Sequence, residues 1–272
     1  MSPAHYWRCL AGIVRREALR FLNQRGRFVA ALVRPLVWLL IFATGFHFVL
    51  GLPPLPPYST YIPYEDYIAP GLIGMIQLFQ GMQSSLSMVY DREMGSMRTL
   101  MVSPMPRWYL LTSKLMAAVL VSILQVYVFL LIAWFWRIRP PSLGLPIGYV
   151  TVIPALVLSG LMLGALGLLL SSVIKQLENF AGVMNFVIFP MFFASSALYP
   201  LWRIREANPL LYEICRANPF THAVELIRFA MYGRLEPVAL AVVLACTGAF
   251  LTAAIYAYNP SKGMLARRGE AG

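Results

Sequence analysis

Six blocks of nearly unbroken apolar sequence, each longer than 20 residues, constrain this chain more than any other feature. They run Phe28–Leu50, Tyr67–Val89, Lys114–Trp136, Tyr149–Ile174, Phe180–Trp202 and Pro237–Tyr258. At about 1.5 Å rise per residue, a helix of that length crosses a hydrocarbon core of ~30 Å. Within lipid, every backbone N–H and C=O has to be satisfied inside the segment, and a helix does this by itself. The apolar residues fill whole blocks instead of one helical stripe, as a lipid-facing helix requires. Charged residues make up only 12% of the chain, half the roughly 25% of a soluble domain. The expected fold is an all-α integral membrane protein with six transmembrane helices. The first block is too long for a signal-peptide core and is expected to stay as an anchor.

The net charge of +11 does not indicate nucleic acid, because the basic residues lie between the apolar blocks and not along one face. Their distribution orients the chain. Fourteen fall on one side: six in the N-terminal arm, then Arg92, Arg98, Arg107, Lys114, Lys175, Lys262, Arg267 and Arg268. The other side has seven, from Arg137 to Arg234, and Arg34 lies within the first block. The richer side is the cytoplasm, so an even number of spans places both ends there. Cys9, Cys215 and Cys246, like His5, His47 and His222, are scattered. They form no disulfide framework, metal cluster or catalytic triad.

Outside the blocks, residues 1–27 form a basic arm whose Trp7, Leu10, Ile13, Val14 and Phe21 recur at roughly helical spacing. A helix lying along the membrane surface is expected. Residues 259–272 are a cytoplasmic tail. The connection after the second block begins Asp91-Arg92-Glu93 and continues through Gly95, Arg98 and Ser103 to Pro104 and Pro106. Met94, Met97, Leu100 and Met101 share one helical face, so a short surface helix and an amphipathic loop both fit. Residues 203–236 carry two Asn-Pro breaks, Asn208-Pro209 and Asn218-Pro219. Each proline suits the first helical position, and each preceding asparagine suits the cap. Phe220, Val224, Ile227 and Met231 then line one face, with Glu225 and Arg228 on another. A re-entrant helical hairpin is expected, in preference to a folded loop outside the membrane. In the second block Gln77, Gln80, Ser84 and Ser87 form a polar stripe that should avoid lipid. It serves either as a translocation path or as interhelical hydrogen-bonding glue. Gly160-x-x-x-Gly164 in the fourth block is a close-packing signal.

The run DREMGSMRTLMVSPMPRWYLLTSK resembles the segment that follows the second of six helices in the ABC-2 type permeases, the membrane subunits of ATP-driven exporters. Asp91, Arg92, Glu93, Gly95, Ser96, Leu100, Ser103, Pro104 and Lys114 match that pattern. ANPFTHAVELIRFAMYG at 217–233 is similar to the family's Asn-Pro, Arg and Gly pattern before the last helix. Among subfamilies, the drug-resistance and nodulation-factor exporter permeases look most alike. The resemblance implies that residues 91–103 form a coupling helix seated in a cleft of a separate ABC ATPase subunit, with Arg92 and Glu93 as ion-pairing candidates. It also implies a second copy of the permease, a bacterial cytoplasmic membrane, and no cofactor in this chain, ATP and Mg being bound by the ATPase.

No G-x-x-x-x-G-K-[ST] run holds phosphate here, so the chain is not expected to be an enzyme. The alternatives are an ion-coupled secondary transporter, disfavoured by blocks almost free of acidic residues, a lipid-modifying enzyme drawing on His222 and Glu225, and a non-transporting assembly subunit.

Overall fold

The computed structural model describes residues 3–23, 25–46, 56–58, 62–93, 106–135, 147–174 and 177–257. Among them the regular structure is helical: α1 Pro3–Asn23, α2 Arg25–Phe46, α3 Tyr64–Glu93, α4 Arg107–Phe135, α5 Ile147–Val173, α6 Leu177–Phe193, α7 Leu201–Ala207, α8 Pro209–Ala217, α9 Pro219–Met231 and α10 Pro237–Ala257. Among the described residues, the apolar blocks fall mainly on α2, α3, α4, α5, α6 and α10. By length and composition, three described stretches suffice to cross a membrane: Trp108–Phe135, Gly148–Val173 and Pro237–Ala257. Val29–Ile41 and Gly182–Phe193 are shorter apolar helices.

α3 and α5 form the centre. α3 packs on α2, α4, α5, α6 and α9, while α5 also receives α4, α9 and α10. One large apolar core runs through this assembly, with Ile68, Leu72, Leu78, Phe129, Leu156, Phe192 and Phe220 fully buried. A smaller cluster of Met88, Leu111, Leu115, Ala165, Leu168 and Ala254 closes the Glu93 end of α3. Small residues bring α3 and α5 together. A Cβ on Gly81 would stand 3.0 Å from the Gly164 backbone, and one on Gly167 would stand 2.9 Å from the Gly81 carbonyl. Two backbones that close leave no room for a side chain at Gly81 or Gly167. α10 leaves most of its apolar surface uncovered, as do Phe186 and Phe189 of α6.

The N-terminal arm is a helix, as its periodicity requires, and α1 packs on α4. The Tyr109 hydroxyl donates to the Tyr6 carbonyl, and the two rings meet edge to face at 4.9 Å. Trp7 is largely exposed.

The fifth block departs from expectation. Its helix ends at Phe193, not near Trp202, and residues 194–200 are an irregular, mostly buried segment before α7. Local chemistry takes part. Ser195 Oγ donates to the Phe192 carbonyl at 2.6 Å and accepts from Ala197 N at 3.2 Å. Pro200 has no N–H to continue a helix. Irregular backbone buried among apolar helices needs hydrogen-bond partners from elsewhere, and they come from α3 and α9.

Candidate functional site

Around residues 194–200, side chains from α3 and α9 and from the cap of α9 converge. Tyr64 and Tyr67 stand one turn apart at the start of α3, and their hydroxyls donate to the carbonyls of Leu198 (2.5 Å) and Ser196 (3.0 Å). Arg228, on α9, donates through Nη2 to the same Ser196 carbonyl at 2.9 Å. Its Nη1 pairs with Glu225, one turn earlier. The guanidinium lies over the Tyr67 ring, 4.2 Å from its centroid, a cation–π contact. Only 3% of the Arg228 side chain is exposed, which such multiple pairing makes tolerable. Asn218 completes the frame. Its Oδ1 caps α9 by accepting from Phe220 N at 2.9 Å, while Nδ2 donates to the carbonyls of Met191 (2.8 Å) and Ala194 (2.6 Å). One residue thus starts α9 and terminates α6. Pro219 occupies the first turn of α9 as expected. Asn208 caps α8 through Leu210 N and Leu211 N. α3 approaches the segment closely at Gly71, where a Cβ would fall 2.4 Å from the Ala197 carbonyl oxygen.

Phe220, Val224, Ile227 and Met231 are buried as one face of α9. The turn that follows that helix contains Gly233, whose φ of +66° suits glycine.

Next to this frame is a cavity of about 350 Å³, lined by Tyr58, Tyr67, Trp202, His222, Glu225 and Arg228 among others. Tyr58 meets Tyr232 edge to face at 5.0 Å. Burial pushes its hydroxyl up to about 12, against the opposing pull of the nearby Arg228. The phenol is therefore neutral and able to donate across the physiological range.

The polar stripe of α3 divides. Gln77 is buried and committed to α5: Nε2 donates to the Leu156 carbonyl at 2.7 Å, and Oε1 accepts from Ser159 Oγ at 2.6 Å. That is interhelical glue. Gln80 sits 3.4 Å from Gln125 of α4 and shares a small cavity with Gln83, Gln125 and Arg34. Arg34 lies over the Phe79 ring at 3.8 Å. Ser84 lines a second small cavity with Lys114. The side chain of Ser87 lies outside the description.

At its far end α3 continues without a break through Asp91, Arg92 and Glu93, which form its last turn. Gly95, Arg98, Ser103 and Pro104 lie outside the described residues. Among those described, no three His, Cys, Asp or Glu side chains are placed to hold a metal ion.

Reading the sequence alone misses Tyr58, Tyr64, Tyr67, Ser196 and Trp202. A signal was present: tyrosines recur every third residue at 58, 61, 64 and 67. That spacing supplies hydroxyl donors where a chain enters its core.

A family model described as "ABC-2 type transporter" matches residues 9–232. The chain is similar to "Putative transport permease ycf38" of Cyanophora paradoxa, with 25% identity over 220 residues, covering 80% of this chain and 72% of that one. It is also similar to "Probable multidrug ABC transporter permease YbhR" of Escherichia coli (strain K12), with 31% identity over 175 residues. There the match covers 63% of this chain but only 45% of the relative's length. "Nodulation protein J" of Neorhizobium galegae is 28% identical over 86 residues, 32% of each chain.

Proposed function

The chain belongs to the ABC-2 type transporter family as a membrane permease subunit of an ABC transporter, and from that premise we propose that it is half of an export pathway driven by a separate ATPase. Two copies of the permease and two ATPase subunits make up the unit, because ABC motors close as pairs and this chain supplies one coupling segment. A closed two-fold dimer is also the commonest symmetric assembly. The segment 91–103 seats on the ATPase, with Asp91, Arg92, Glu93 and Arg98 offering charge, Gly95 a close approach, and Ser103 and Pro104 the exit. ATP and Mg are held by that partner.

The observation that carries this reading is the continuity of α3. One helix joins Tyr64 and Tyr67, which hold the irregular segment, to Asp91-Arg92-Glu93, where the coupling segment begins. Six spans, α2 to α6 and α10, cross a bacterial cytoplasmic membrane with both ends in the cytoplasm. The short helices α7 to α9 re-enter the leaflet on the far side and act as lid or exit. Of the polar stripe, Gln80, Ser84 and Ser87 border the path, whereas Gln77 is held by α5.

Reconstitution in liposomes tests the assignment. ATP should drive efflux only when the partner ATPase is present, and Gly95→Pro should abolish it while leaving the protein inserted, since proline breaks a helix at a cost of ~3 kcal/mol or more. Transport by the lone chain under a proton or sodium gradient would mark a secondary carrier instead.

A further inference from the structure

We propose that Arg34 binds the anionic head, a carboxylate or a phosphate, of an otherwise apolar solute on the export path; this rests on the two-copy, six-span reading above. On that reading the site lies at mid-depth in the membrane. The Arg34 guanidinium stands over the Phe79 ring, 3.8 Å from its centroid. Phe79 and Gln80 are near the middle of the block Tyr67–Val89, and Gln125 is at the middle of Lys114–Trp136. A cation at that depth faces protein or a water-filled cavity, not lipid. In the single chain Arg34 is exposed, so the second copy and the path between the two copies cover that face.

The chain supplies no counter-charge there. Among the described residues the Arg34 guanidinium makes neither an ion pair nor a hydrogen bond. None of the 11 acidic residues falls within any of the six apolar blocks, so a second copy brings no carboxylate to this depth either. The pull of one phenyl ring is smaller than the cost of taking a guanidinium out of water. An anion from outside the protein restores the balance, and the guanidinium fork matches the oxygens of a carboxylate or a phosphate.

The surroundings define the rest of the ligand. Arg34 shares a cavity of about 40 Å³ with Gln80, Gln83 and Gln125, and no acidic residue lines it. That volume has room for about three water-sized groups, which suits a charged head and excludes a ring system. Gln125 Nε2 donates to Gln80 Oε1 at 3.4 Å. Gln80 Nε2 makes no hydrogen bond among the described residues and is a second donor in the same cavity. The body of the ligand lies outside, along α2. There Val37 and Ile41, three and seven residues after Arg34, are exposed and apolar, and the helical repeat sets them on the Arg34 side.

Equilibrium dialysis of radiolabelled decyl phosphate against the full-length permease in phosphatidylcholine nanodiscs provides the test. Saturable binding above that of protein-free discs is expected, and decanol, with the same tail and no charge, should not displace the probe at equal concentration. Arg34→Gln should weaken binding by ~10-fold or more, Arg34→Lys, which keeps the charge, by ~3-fold or less, and Gln80→Leu by ~3-fold. A merely structural arginine would leave the preference for phosphate over alcohol unchanged in Arg34→Gln. The proposal is overturned if binding is not saturable, if decanol competes equally, or if Arg34→Gln binds as the parent does. Should Arg34→Gln not fold, the decanol comparison and Arg34→Lys decide in its place. An anionic lipid offers the same chemistry, so phosphatidylglycerol is added to the discs in a further arm: binding should be unchanged, and displacement would mark a lipid-headgroup site and overturn the assignment to a solute. Binding needs no ATPase, so a failure of ATP-driven efflux would count against the exporter reading and stay distinguishable from a failure here.

Discussion

Arg228 is a cation with almost no exposed surface, and its charge is met from three sides: the Glu225 carboxylate, the Ser196 carbonyl and the face of Tyr67. Removing one member of such a set leaves the others desolvated and unpaired, at a cost of roughly 3–5 kcal/mol in a fully buried pair. Glu225 keeps 21% of its surface exposed, so the loss for Arg228→Met should be near the lower end, about 3 kcal/mol. Thermal unfolding of the purified protein would read it. Adding Glu225→Gln to that variant should cost less than the two single changes combined, since both break one interaction. Glycines give a sharper contrast. A Cβ on Gly71 meets the Ala197 backbone, which cannot move away cheaply, whereas one on Gly164 meets the Leu115 Cδ1 methyl at 2.4 Å, the end of a side chain that can rotate. Gly71→Ala should therefore destabilise by about 1–3 kcal/mol, and Gly164→Ala by clearly less, in the same assay. Gly160-x-x-x-Gly164 was legible as a packing signal from its spacing. Gly71 was not, because its partner lies 126 residues away in a segment that sequence assigns to a helix.

At the scale of elements, the two Asn-Pro breaks were read correctly and yet are unequal. Asn208 and Asn218 each cap a helix through Oδ1, as their residue type and the following proline dictate. Only Asn218 also uses Nδ2, to close off α6 at Met191 and Ala194. Asn208→Ala should cost about 1 kcal/mol, an ordinary cap. Asn218→Ala should cost about 2 kcal/mol or more, because two carbonyls lose their donor as well. Thermal unfolding of the two variants side by side measures the difference. The caps were legible because they are local, within three residues of one another. The end of α6 was not, because hydropathy continues past Phe193 and the donors that let the backbone leave the helix come from α3 and α9. The same division applies to the polar stripe of α3: its existence is local, but Gln77's commitment to α5 depends on which helix packs there.

For the whole molecule, the six blocks mapped onto six helices because long apolar stretches have few other options in lipid. The shift of α4 back to Arg107, seven residues before its block, shows that helices outrun the apolar stretch they contain. The arrangement of those helices across the membrane remains a charge argument, and it has a direct test. In a background without native cysteines, one introduced at Ser142 should react in whole cells with a reagent that cannot cross the membrane, and one at Ser103 should not; the reverse pattern would invert the topology. α3 has a mechanical consequence within this assembly. Gly81 touches the α5 backbone nearly midway between Gly71, which touches residue 197, and Glu93. With ~15 Å on one arm and ~18 Å on the other, that backbone contact has the geometry of a fulcrum, held to α5 by the Gln77 hydrogen bonds one turn away. A tilt of about 5° about it would carry both ends by about 1.5 Å in opposite directions. The glycine seam thus predicts seesaw motion: spin labels at Tyr90 and Glu65 should shift in opposite senses relative to α5 when the ATPase closes, and a shift of both ends in the same sense would rule the pivot out.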